Sequence, residues 1–132
     1  MNSIVTFEQA KKLKDIGFNA EVNRYFLYER LISSDDFDYN GINKIHCSAP
    51  TVSEALDWIR EEKGVMLAVE LESKRSRLGE IIGYEYGGAY IDDKGKDVWL
   101  PTHPTHPLAE SALLDALLTY LELSKEKNFS ES

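Results

Sequence analysis

Asp36-Phe37-Asp38-Tyr39-Asn40-Gly41 sets oxygen-bearing side chains at alternate positions with a glycine after them. That is the first half of a calcium-binding EF-hand loop, in which alternating ligands wrap a hard cation and the glycine permits a sharp turn. The match then stops. The twelfth position, where a bidentate glutamate closes the coordination sphere, is Cys47, and the flanks read as strands instead of helices. An ordinary acidic turn is the competing reading.

His103 and His106 lie three residues apart, with Asp92, Asp93 and Asp97 near in sequence, and imidazole with carboxylate is a zinc-binding combination. Pro104 and Pro107 hold the backbone extended and so spread the two rings, where a helical spacing would converge them. A solvated connector is the simpler expectation. His46 and Cys47 are neighbours on an expected strand, whose successive side chains point to opposite faces, so they do not make a nucleophile and base pair. Glu70, Glu72, Glu80 and Glu85 stand on an expected hairpin, but acid/base work also needs a pocket and shifted pKa values. No G-x-S-x-G, Walker loop, dinucleotide fingerprint, H-E-x-x-H or C-x-x-C occurs. The expectation is a non-enzymatic protein with no cofactor.

Tyr25, Phe26, Tyr28, Tyr84, Tyr86, Tyr90 and Trp99 admit two readings. Tyr and Trp are enriched in recognition surfaces, whereas aromatics on strands commonly form core or cross-strand pairs. Gly83, Gly87 and Gly88 interrupt an aromatic strand, which close packing or a bulge explains.

These residues must be positioned by elements that the periodicity predicts. Thr6 and Gln9 have capping-box spacing, and Phe7, Ala10, Leu13 and Ile16 recur at helical intervals before Gly17, predicting a helix over 7–16. Residues 21–32 and 43–48 read as strands around a polar loop, 33–41. Thr51 and Glu54 form a second capping box for a helix that ends before Gly64 and buries Val52, Ala55, Leu56 and Ile59, with Trp58 at the edge. Residues 65–71 and 79–86 predict a second hairpin joined through 73–77, and 89–91 with 97–100 either extend it or add a small hairpin. A connector of Thr, His and Pro follows, with Pro107 suited to the first position of the last helix. The order α-β-β-α-β-β-α gives an α+β fold, a two-layer domain over residues 1–124 whose antiparallel sheet is covered by helices, with a polar, fraying tail at 125–132.

The last helix carries the most information about assembly. From Leu108 to Leu123 its apolar residues sweep an arc of roughly 240°, against the ~100° stripe of a helix packed on one side. Leu113, Leu114, Leu117, Leu118 and Leu121 are therefore the candidates for a subunit contact in a homodimer around a two-fold axis. The alternative is a helix buried wholly within one chain.

Twenty-three acidic residues against fifteen Lys and Arg give a net charge of −8, which repels a nucleic-acid backbone. The compact basic cluster Lys74-Arg75-Ser76-Arg77 reads as a solubilising loop, so no nucleic-acid partner is expected. Nor is a membrane: no apolar run reaches the ~18 residues of a bilayer span, and Met1-Asn2-Ser3-Ile4-Val5 has neither a basic nor a long apolar segment. Cys47 is the only cysteine, which excludes an internal disulfide and favours a reducing, cytoplasmic setting.

The segments from Thr6 to Phe18, Ala49 to Gly64 and Glu110 to Leu117 resemble small uncharacterised proteins of Bacteroides-type bacteria, their prophages and phages. The resemblance implies an intracellular accessory protein of mobile-element origin and brings no catalytic residues; the His-Pro connector departs from it. Two functions are carried forward. The first is a self-associating interaction domain with an unidentified protein partner; the alternative is a small-ligand or metal-binding protein using Asp36, Asp38 and Asn40 of loop 35–41, or His103 and His106. An acidic mimic of nucleic acid fits less well, because the carboxylates are interleaved with Lys and Arg.

Overall fold

The computed structural model describes the backbone of residues 3–131 and the side chains of residues 3–124. Its elements keep the expected α+β order, with three strands in each half: α1 (Phe7–Asp15), β1 (Val22–Leu27), β2 (Arg30–Phe37), β3 (His46–Ser48), α2 (Val52–Glu62), β4 (Leu67–Arg75), β5 (Ile81–Ile91), β6 (Asp97–Trp99) and α3 (His106–Glu131). The strands divide between two antiparallel sheets, ordered β2-β1-β3 and β4-β5-β6. Residues group into two compact units, Met1–Trp58 with Leu114–Ser132, and Ile59–Leu113.

In the first unit, both halves of the Thr6 capping box form: the Gln9 amide donates to Thr6 Oγ1 at 3.1 Å and the Thr6 amide to Gln9 Oε1 at 2.9 Å. Gln9 Nε2 also donates to Asp115 Oδ1 at 2.9 Å, tying α1 to α3. Thr51 and Glu54 repeat the box at the start of α2. Phe7 packs on Phe26 of β1 with ring centroids 5.5 Å apart, and Leu13, Phe18, Val22, Cys47, Leu56, Leu117 and Leu118 are buried.

The strand expected over 21–32 is two strands. The chain turns at Tyr28-Glu29 and returns as β2, paired from Leu27↔Arg30 to Arg24↔Ser33, through sequence expected to be an irregular loop. Ser33 and Phe37 pair with β1 on either side of a register shift, and the edge position leaves Ser33, Ser34, Asp35 and Asp36 exposed to water. Asn40 fastens the segment that follows: its Nδ2 donates to Phe18 O at 2.9 Å and its Oδ1 accepts from Ser48 N at 2.8 Å.

In the second unit, β4 and β5 pair from Leu67↔Tyr90 to Lys74↔Gly83, after which Arg75↔Ile81 leaves Ile82 as the extra residue of a bulge. Both options for the following segment occur, since β5 runs on to Ile91 and β6 pairs back on it. The connector then docks on β5, where Tyr86 and His103 exchange backbone hydrogen bonds of 2.8 Å. Helix α3 begins at His106, so Pro107 takes the second helical position, where a backbone N–H is equally dispensable. Its backbone stays helical to Glu131, through most of the tail expected to fray; residue 132 and the side chains from 125 lie outside the described residues.

Candidate interaction surface

The contact nominated on α3 is occupied from within. Leu113, Leu114, Leu117 and Leu118 have no exposed surface in the single chain, and Leu121 is half-buried. A buried leucine contributes about 1.5–3 kcal/mol, so the wide arc measured a need for burial that the chain itself meets. Of the apolar arc, Leu108 and Leu123 are the exposed large residues.

Of the residues nominated for a metal, Asn40 and His106 have other side-chain partners, whereas Asp38 Oδ1 is buried without a hydrogen bond. Asn40 is committed to Phe18 and Ser48, as described above; Asp36 lies on β2, and Asp38 packs against Gly41, where a Cβ would sit 3.2 Å from Asp38 Oδ2. In the second unit, His106 Nδ1 is 3.2 Å from Glu110 Oε1 and its ring stands edge-on to Tyr86, while His103 is held by its backbone. Among the described residues, no group of three or more His, Cys, Asp or Glu is placed to hold a metal ion. His46 and Cys47 diverge as neighbours on a strand must: His46 packs on the Tyr25 ring, and Cys47 is buried with its pKa raised by that burial against the opposing field of Lys14.

The second sheet holds a different surface. Ile91 N donates to Met66 O, which fixes the ladder phase: Ala68, Glu70, Glu72 and Lys74 direct their backbone groups to β5, and Val69, Leu71 and Ser73 direct theirs away from it. β4 is an edge strand and pairs regularly over eight residues, Leu67 to Lys74, whereas β2 pairs regularly only over Arg30–Ser33 before its register shifts. Beside that edge, Leu78 is 88% exposed, Ile82 66% and Tyr84 58%, with Leu71 and Ile81 also exposed. The aromatic set thus splits, with Phe26 buried, Tyr25, Tyr86 and Tyr90 half-buried, and Tyr28, Tyr84 and Trp99 exposed. Leu71, Leu78, Ile81 and Ile82 were not nominated from sequence; the signal present was apolar residues at adjacent positions 81 and 82, which cannot all face one core across a regular strand.

The polar side chains near this edge form an ordered group. Lys74 Nζ lies 2.9 Å from Glu85 Oε1, and the Thr102 hydroxyl donates to Glu85 Oε2. The Thr102 hydrogen bond and then Lys74 hold the Glu85 carboxyl below the usual glutamate range. Arg75 Nη1 donates to Gly79 O at 2.8 Å and closes the hairpin, so the expected solubilising loop includes a structural clasp. No helix among the described residues is long and apolar enough to cross a membrane. In comparisons with family models, curated proteins and solved structures, nothing matched this chain.

Proposed function

We propose that this chain is a non-enzymatic interaction domain that associates with a second copy of itself through the outer edge of β4. The observation that carries this reading is the uninterrupted edge, with its outward amides and carbonyls at Val69, Leu71 and Ser73, beside exposed Leu71, Ile82 and Tyr84.

Charge selects the register. Two β4 edges meeting antiparallel about a two-fold axis must pair outward residues with outward residues. Centred on Leu71, Glu70 faces the second copy's Glu72; centred between Leu71 and Ser73, Glu72 faces itself. Centred on Ser73, Glu72 faces Lys74 of the other copy twice over, and no like charges are directly opposed. Glu and Lys on an edge discourage indiscriminate strand addition, and here they also favour one self-pairing.

Solution mass by light scattering over a micromolar series tests the reading. Leu71→Pro removes an amide that points away from β5, and Ser73→Lys sets two cations on the axis; neither disturbs the ladder within the chain. The parent is expected at twice the chain mass of 15.0 kDa and both variants at 15.0 kDa with their melting temperatures retained. A parent that stays at the single-chain mass, or folded variants that keep the double mass, contradicts it.

A further inference from the structure

The first unit contains a cavity of about 430 Å³ between α1, the β1–β2 turn and the segment entering β3. Its chemistry is unlike the chain around it. The protein carries a net charge of −8, yet this cavity is lined by Lys11, Lys14 and Lys44 against one carboxylate, Asp15. The rest of the wall is mostly apolar: the rings of Phe7 and Tyr28, with the buried Cys47 among the lining residues.

The wall is built. Lys14 Nζ donates to the backbone carbonyls of Asn43 and His46, drawing the segment of Lys44 onto α1. Asn43 Oδ1 braces the same turn by accepting from the amides of Ile45 and His46 at 3.0 and 3.1 Å. Lys11 Nζ stands 4.7 Å from the Phe7 ring centroid and 3.0 Å from Glu8, so its charge is held beside the aromatic wall. Tyr28 adopts φ +55°, a left-handed conformation that a non-glycine residue holds at a cost, and the turn keeps a tyrosine there at the cavity.

We infer that this cavity binds a small organic anion, a single anionic head on an alkyl or aromatic body. The head sits among the ammonium groups of Lys11, Lys14 and Lys44, and the body lies along Phe7 and Tyr28 toward Cys47. A fully hydrated inorganic anion gains nothing from the apolar wall, and a neutral apolar molecule gains nothing from the lysines, so both parts of the ligand are required.

Calorimetric titration of the full chain with decanoate tests the inference, with acetate as the head alone and decanol as the body alone. Decanoate is expected to bind one per chain, more tightly than either control and less tightly as salt is raised. Lys11→Glu combined with Lys44→Glu reverses the charges of two exposed side chains, gives up the Lys11 ion pair with Glu8, and should weaken binding at least tenfold with the fold retained by melting temperature. A readout that needs no variant is the amide spectrum of the parent, in which decanoate should shift residues 7, 11, 28, 44 and 47 selectively. Absence of saturable decanoate binding, decanol binding as tightly, undiminished binding by the folded variant, or shifts spread away from the cavity would each overturn it.

Discussion

A Cβ placed on Gly88 would lie 3.0 Å from the Cβ of Leu113, so β5 and α3 approach there as closely as a bare backbone allows. Gly88→Ala should therefore destabilise the protein by about 1–3 kcal/mol through overpacking. Gly83, on the same strand, has nothing within 4 Å of the corresponding position, and Gly83→Ala should leave stability unchanged or slightly raised. Urea unfolding of the two variants beside the parent checks the contrast. Equal effects would mean that the contact with Leu113 does not constrain β5.

Asn40 distinguishes a structural from a ligating role for the acidic loop. Its amide joins Phe18 to Ser48, so Asn40→Ala strands a carbonyl and an amide that are partly buried. The expected cost is about 1–3 kcal/mol in denaturant unfolding with no metal added. A variant as stable as the parent would show that these hydrogen bonds contribute nothing net.

The lowered Glu85 pKa has a defined sign. A carboxyl whose folded pKa lies below its unfolded value stabilises the fold above the ordinary glutamate range, and that contribution is lost as pH falls through the depressed value. Thr102→Val removes the first cause of the shift and should move the Glu85 titration upward, read from its side-chain carboxyl carbon by NMR. An unmoved titration would assign the shift to Lys74 and His103 instead.

Much of the scaffold was legible because its signals are local. Thr6 with Gln9 and Thr51 with Glu54 announce helix starts through hydrogen bonds three residues long, and both boxes form. The apolar arc of α3 was legible as a quantity. Periodicity states how much of Leu113, Leu114, Leu117 and Leu118 must leave water, but what covers them is decided by elements distant in sequence. β2 was hidden for a related reason: Ser33 to Asp36 have no strand-like side chains, and β1 pairs with Ser33 and Phe37 only across a register shift that local sequence does not reveal. The outward edge of β4 was also hidden, because ladder phase depends on which partner strand exists. At 81 and 82, adjacent isoleucines marked the bulge without naming it.

The most direct test of self-association uses Ser73, the residue on the proposed axis. Cys47 is buried, so Ser73→Cys introduces the single accessible thiol. Directly opposed residues of an antiparallel hydrogen-bonded pair have Cα atoms about 5.5 Å apart, within the roughly 4.4–6.8 Å that a disulfide spans. Under mild oxidation in native buffer, Ser73→Cys should form a covalent dimer much faster than Arg77→Cys at the exposed hairpin turn, and urea should abolish the difference. Equal, slow cross-linking of both variants would contradict the β4 interface.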